Sequence, residues 1–116
     1  MAAKRIPNSL RRSIKGHGRV LRKVSQRGGN RLLNQVPKTF FSLIKRIFQS
    51  IKNGQIPVPF NLNRALLDKV IRAKNSEKAI IQNGSGIVSI LAAVVPALVT
   101  LVPEIVKLFK KKKTTE

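Results

Sequence analysis

The chain is organised around residues 37–53, PKTFFSLIKRIFQSIKN, whose apolar spacing predicts an amphipathic helix. At 100° per residue the polar side chains share one face, and the charged residues on that face are all cationic. Pro37 suits a first helical turn, and Asn53-Gly54 supplies a C-terminal stop. The opposite face is apolar and consists of Phe40, Phe41, Leu43, Ile44, Ile47, Phe48 and Ile51.

Two interpretations fit this helix. A wide apolar face with Phe, opposite a purely cationic polar face, is typical of a helix that lies in an anionic membrane interface. The alternative is an ordinary amphipathic helix that packs on a hydrophobic core. The basic composition of the whole chain favours the membrane interpretation, so we predict that the seven apolar residues bind membrane.

The charge of the chain is very unbalanced. Its 116 residues include 24 Lys and Arg against 4 acids, which gives a net charge of +20, and the first acid is Asp68. Such a charge opposes compaction and calls for a polyanion, either nucleic acid phosphates or acidic lipid headgroups. We expect the N-terminal cations to contact nucleic acid without reading bases: Lys4, Arg5, Arg11, Arg12, Lys15, Arg19, Arg22, Lys23, Arg27 and Arg31.

The composition also limits the possible chemistry. The chain has no Cys, which excludes disulfides, Cys-ligated zinc and thiol catalysis. Its single His17 has no acid near it in sequence, so neither a local metal cluster nor a catalytic triad is indicated. We therefore expect no enzymatic activity, metal or cofactor. The stretch from Ile6 to Leu10 is too short for a secretory signal, although the basic start could imitate a mitochondrial transit peptide.

The pattern predicts an all-α chain, non-globular or loosely packed, with amphipathic helices, a disordered basic N-terminal arm and an apolar C-terminal helical segment. The arm is expected to be disordered because it offers little apolar surface to offset the entropy of ordering. The predicted divisions are residues 1–29 (basic arm), 30–54 (amphipathic helix), 55–61 (Pro-containing break), 62–83 (second helical region), 84–109 (apolar segment) and 110–116 (Lys-rich tail).

The second helical region follows a break made by Pro57 and Pro59. An Asn at position 61 or 63 can cap a helix that runs to about Lys74, with a narrow apolar stripe. A further short helix is expected to use Ser76 as its cap and to end at Gln82. Both pieces have the pattern of modest surface helices.

The apolar segment has no charge from Ile87 to Pro103, which places it at the lower edge of the length needed to span a bilayer. Three interpretations stay open: an interfacial or partly inserted hairpin, a span kinked at Pro96 and Pro103, and a buried core helix. The Lys cluster 110–113 would hold anionic headgroups. The expected membrane-binding residues here are Ile87, Ile90, Leu91, Val94, Val95 and Leu98.

Six of the seven glycines occur in three close pairs, and the three pairs share a context. Each pentad has an aliphatic or amide residue, then any residue, then Gly, followed by a second Gly one or two positions later. We expect all three to be flexible joints. The pentads are Ile14-Lys15-Gly16-His17-Gly18, Gln26-Arg27-Gly28-Gly29-Asn30 and Gln82-Asn83-Gly84-Ser85-Gly86.

These pentads resemble the sites cut by the adenovirus maturation protease. The order of features from Gln26 to Val95 is similar to the precursor of the adenoviral minor capsid protein VI, a membrane-lytic family with a short pro-segment and an amphipathic helix. The chain lacks the Trp of that family and its Cys-containing activating peptide. The cleavage residues that the resemblance implies are Ile14, Gly16, His17, Gly18, Gln26, Gly28, Gly29, Asn30, Gln82, Gly84, Ser85 and Gly86.

The basic body with Gly16-His17-Gly18 and the later apolar tail also resemble the precursor of adenoviral core protein X, called mu. The combined resemblance implies a virion precursor that binds viral DNA and a capsid protein, is cleaved by the viral protease, and disrupts a host membrane during entry. It implies a location in the virion interior, in the host nucleus during assembly and at a host membrane during entry. The alternatives are a DNA-condensing core protein and a non-viral cationic membrane-active or small organellar membrane protein, and the oligomeric state stays open.

Overall fold

A computed structural model describes residues 6–26, 29–58 and 62–109, and these residues are helical, with no strand among them. The all-α prediction is confirmed. The α-helices are α1 (Asn8–Gly16), α2 (Gly18–Val24), α3 (Lys38–Lys52), α4 (Arg64–Arg72), α5 (Ser76–Gln82), α6 (Gly84–Leu101) and α7 (Val106–Phe109). Two 3-10 helices, Gly29–Asn34 and Pro103–Ile105, join α2 to α3 and α6 to α7.

The amphipathic helix predicted at the centre of the sequence is α3, and its apolar face forms the centre of the core. Phe40 and Phe48 are fully buried, and the other five residues of that face are at most 5% exposed. The main contacts of α3 are with α1, α4 and α5. Together they cover the apolar face of α3, which is too wide for a single helix to cover. The interpretation of α3 as a core helix is therefore the one that this fold realises.

Residues 6–26 of the N-terminal arm are not disordered in this structure, which corrects the prediction from composition. They form α1 and α2, and each is amphipathic. The cause is an apolar stripe at helical spacing, whose burial offsets the entropy of ordering the segment. The buried residues of the stripe are Ile6, Leu10, Ile14, Leu21 and Val24.

Loose packing is the second prediction that the structure does not support. One continuous core contains side chains from every helix from α1 to α6, and the radius of gyration over Cα atoms is 13.6 Å. A compact domain of this length has a radius of gyration of about 13 Å, whereas an unfolded chain has one above about 30 Å. Amphipathic helices that would each be marginal alone are thus stabilised by covering one another.

The helix boundaries follow local signals. Gly54, with a φ of 77°, and Asn53 end α3 as predicted. Asn63 Oδ1 accepts a hydrogen bond from Leu66 N at 3.1 Å and caps α4, whereas the other candidate, Asn61, lies outside the described residues. The cap of α5 is Asn75, which accepts from Lys78 N at 3.0 Å, so the prediction of Ser76 was wrong by one residue.

The apolar segment forms α6, which continues through Pro96 and ends at Leu101, just before Pro103 starts a 3-10 helix. Six of its eighteen residues are buried, and Ile87, Leu91 and Val94 are fully so. Its remaining surface is uncharged. One face of α6 therefore packs as the core-helix interpretation predicts, and the outer face of the helix carries no charge.

Candidate functional site

The cations of α1 and α2 form the surface that we call the α1–α2 basic face. Its exposed members are Arg12, Lys15, Arg19 and Lys23, and Arg11 and Arg22 are half-buried at its edge. Arg12 and Lys15 lie on α1 and Arg19 and Lys23 lie on α2, in each case away from the buried apolar residues of the same helix, so packing of those residues turns the cations outward. Exposed Arg31 lies on the adjoining 3-10 helix, while Lys4, Arg5 and Arg27 lie outside the described residues.

The single histidine holds the basic face on the core. His17 sits between α1 and α2, with Nδ1 2.8 Å from the backbone oxygen of Ser13 and Nε2 2.8 Å from Thr39 Oγ1. The carbonyl can only accept, so Nδ1–H donates to Ser13, while Nε2 shares a hydrogen bond with the Thr39 hydroxyl, which can donate or accept. The ring also lies 6.0 Å from the ring of Phe40. His17 thus links the basic face to the start of α3, a packing role that the sequence did not indicate.

Acids neutralise little of the basic face. Glu104 lies 3.9 Å from Arg11 and 4.0 Å from Lys15, and all three side chains are partly exposed. Within residues 6–26, 29–58 and 62–109, no ion pair joins Arg12, Arg19 or Lys23 to an acid. Exposed cations that keep their charge and their hydration are suited to contacts with phosphate oxygens.

A second group of cations lies on α4 and α5, where the sequence pattern alone indicates no binding role. Lys69, Arg72 and Lys78 line an open cleft of about 550 Å³ together with Asn75 and Gln82. We call this the α4–α5 basic cleft. The signal in the sequence was the i, i+3 spacing of Lys69 and Arg72 on one helix face, followed by Lys78 just beyond the turn.

One ion pair fixes α4 beside α3. Lys52 Nζ lies 2.8 Å from Asp68 Oδ1, with both side chains nearly half exposed. This hydrogen bond, supported by the charges of Lys52 and Arg72, holds the pKa of the Asp68 carboxyl below its usual value. Asp68 is therefore ionised at neutral pH, bonded to Lys52 and close enough to Arg72 to feel its charge, and among the described ion pairs none joins Lys69, Arg72 or Lys78 to an acid.

The residues predicted to bind membrane are inside the protein. All seven on α3 are buried, as are Ile87, Ile90, Leu91, Val94 and Leu98 on α6; Val95 alone is half-buried. The outer face of α6 carries different residues, with Ser89, Ala92 and Pro96 exposed. Among the described helices, α6 is the one long and apolar enough to cross a membrane by length and composition. That property is shared by core helices of soluble proteins.

The three glycine pentads lie at helix ends, between α1 and α2, between α2 and the following 3-10 helix, and between α5 and α6. Packing accounts for several of these glycines. A Cβ on Gly29 would lie 1.8 Å from the Val24 oxygen, and one on Gly86 would lie 2.6 Å from Leu66 Cδ2. A Cβ on Gly16 would meet nothing within 4 Å. Packing therefore requires Gly29, whose neighbours are backbone atoms, whereas the end of the Leu66 side chain can move away from Gly86 and nothing constrains Gly16.

The residues of the pentads differ in their exposure to solvent. Gly16, Gln26, Asn30, Gln82 and Ser85 are exposed, His17 and Gly86 are half-buried, and Ile14, Gly18, Gly29 and Gly84 are buried; Gly28 lies outside the described residues. A protease cleft takes an extended segment. Cutting would therefore require these helix ends to open first.

The surface as a whole is suited to electrostatic binding. Two groups of outward cations lie on a rigid helical core, and the apolar residues of the chain are mostly enclosed. Among the described residues, no group of three His or acidic side chains lies close enough to hold a metal ion. The chain matches no protein-family model, no curated protein and no solved structure, so its function is assigned from its own surface chemistry.

Proposed function

We propose that this protein binds nucleic acid through phosphate contacts, without sequence preference, and serves as a basic core protein. The observation that carries the proposal is the α1–α2 basic face, where two exposed cations project from α1 and two from α2. Exposed Lys and Arg can each contact a backbone phosphate and release its counterions. Phe40, Phe41 and Phe48 are buried and offer no platform for stacking bases, in keeping with backbone contacts.

The resemblance to adenoviral precursors supports a virion as the setting. We infer that the protein lies with the genome in the virion interior, contacts a capsid protein there, and is cut by a maturation protease at one or more of the glycine pentads. Assembly would take place in the host nucleus.

The affinity for duplex DNA should depend steeply on salt. With about six phosphate contacts, affinity falls about a thousandfold between 50 and 200 mM salt. Changing Arg12, Arg19 and Lys23 together to Gln should lower the slope of log K against log salt by about 3. Titration of labelled duplexes of two unrelated sequences, followed by fluorescence anisotropy at four salt concentrations, measures both quantities.

The matched control keeps the charges: the triple variant R12K/R19K/K23R should bind with the slope of the parent, since each cation is preserved. All six substitutions are on exposed helix positions and use good helix formers, so the fold should survive. A slope of 2 or less for the parent, or a strong preference for one sequence, contradicts the proposal.

A second candidate function is membrane disruption, and the outer face of α6 favours it. That face is uncharged over the whole helix, while cations lie beyond its C-terminal end at Lys107, Arg11 and Lys15. An uncharged helix face flanked by cations fits an anionic bilayer surface. The buried apolar face of α3 could contact the membrane only if the core opened.

Full-length protein should then release dye from vesicles that contain phosphatidylglycerol. A charge on a lipid-facing helix position costs about 2–3 kcal/mol at bilayer depth, so Ala92→Glu should lower leakage at least about tenfold. Gln49→Glu, on the exposed side of α3, makes the same charge change and should leave leakage near the parental value. Absence of leakage from the parent protein would remove this candidate.

A further inference from the structure

The two groups of cations lie on different sides of the molecule. The main contacts of α1 are with α2 and α3, whereas α4 and α5 contact α3 and each other. Arg46 donates to Ser9 Oγ on the α1 side of α3, and Lys52 pairs with Asp68 of α4. At 100° per residue Arg46 and Lys52 lie at opposite edges of the apolar face of α3. Helix α1 and helix α4 therefore flank α3 from opposite edges.

The cations of α4 and α5 point away from α3 because the apolar residues of both helices point toward it. Leu66, Leu67 and Val70 of α4 and Ile80 of α5 are buried in the shared core. Lys69, Arg72 and Lys78 are exposed on the outer side and converge on one cleft. Like charges held close together repel, so a cleft with three such cations is stabilised by a polyanion that enters it.

The size of the molecule is compatible with occupation of both surfaces at once. The molecule measures 44 × 40 × 27 Å along its principal axes. At physiological ionic strength charges are screened over about 8 Å, so duplexes on opposite sides of the protein would repel one another only weakly. The protein in between supplies positive charge to each duplex.

We propose that the α4–α5 basic cleft is a second binding site for nucleic acid phosphates, and that one molecule bridges two duplexes. The α1–α2 basic face holds one backbone and Lys69, Arg72 and Lys78 hold a backbone of the other. This inference rests on the proposed nucleic-acid function and adds to it a mechanism for bringing duplexes together. Bridging by single molecules needs neither a dimer nor an unfolded chain.

The test compares two variants with equal loss of charge: R12Q/R19Q/K23Q on the α1–α2 basic face and K69Q/R72Q/K78Q in the α4–α5 basic cleft. Energy transfer between donor-labelled and acceptor-labelled 20-base-pair duplexes reports bridging, and anisotropy at limiting protein reports binding of one duplex. The parent should give energy transfer. Each variant should still bind single duplexes at 50 mM salt but should need at least tenfold more protein for the same transfer. Circular dichroism checks that both variants keep parental helicity.

Several outcomes overturn the inference. Undiminished energy transfer with K69Q/R72Q/K78Q would show that the cleft takes no part, and complete loss of single-duplex binding in either variant would point to one joint site. If energy transfer appears only at protein concentrations at which analytical ultracentrifugation shows a dimer, the dimer and not a single molecule forms the bridge. If vesicles with phosphatidylglycerol are clustered through the cleft while duplexes are not bridged, its ligand is lipid. A parent that binds no duplex at all refutes the proposed function, whereas a parent that binds without bridging refutes only this inference.

Discussion

Replacing Phe48 with Ala should lower the free energy of unfolding by about 3–5 kcal/mol, because the ring is fully buried in the core. The loss combines the transfer free energy of the ring with the cavity that it leaves. Domains of this size are stable by about 5–15 kcal/mol, so the substitution should remove a large fraction of the stability. Urea denaturation followed by circular dichroism gives the difference directly.

Gln49→Ala is the matched control, since Gln49 is the next residue on the same helix and is exposed. Its effect should stay within about 0.5 kcal/mol. Equal and small effects of the two substitutions would mean that the face of α3 is not covered in solution. That result would favour the interpretation of α3 as a membrane-interface helix, because such a helix presents an uncovered apolar face with Phe.

The sequence predicts α3 well but cannot show what covers it. Helical spacing identifies all seven residues of its apolar face, and Asn53-Gly54 identifies its end. A helix that packs on protein and a helix that lies on lipid present the same face to their surroundings. The two kinds of helix differ in what covers the apolar face. Here α1, α4 and α5 cover it, through contacts between residues far apart in sequence.

The basic arm shows how charge can hide a second signal. Ile6, Leu10 and Ile14 are spaced four residues apart, which predicts one helix face. The many cations of the arm as a whole indicate disorder, as net charge and low hydrophobicity usually do. In the fold the same cations occupy the opposite face of the helix, so their number does not prevent packing. Position in the helical repeat, and not composition, decides the outcome here.

The α4–α5 basic cleft was beyond the reach of the sequence for a related reason. Lys69 and Arg72 are on one helix and Lys78 is on the next, so their convergence depends on the angle of the turn between them. Asn75 sets that turn by capping α5, whereas Ser76 was the predicted cap. A shift of one residue in a cap changes which side chains face each other across the turn.

Removal of residues 1–29 should unfold the protein instead of trimming a tail. The deletion takes away five side chains of the core, from Ile6 to Val24, and each contributes about 1.5–3 kcal/mol through burial. It also uncovers part of α3, including the surface beneath His17 and Thr39. The combined loss equals or exceeds the stability expected of a domain of this size. Circular dichroism and a thermal melt should show little helix and no cooperative transition.

Two double variants separate lost packing from lost charge in this segment. Leu10→Ala with Ile14→Ala removes buried side chains and should cost at least about 4 kcal/mol, whereas Arg12→Ala with Lys15→Ala removes only exposed cations and should cost less than about 1 kcal/mol. A truncated protein that melts cooperatively at the parental temperature would show that α1 and α2 are dispensable for the fold. If the truncation unfolds as expected, its failure to bind DNA says nothing about charge, and only the Gln variants on a folded protein can assign binding to the α1–α2 basic face.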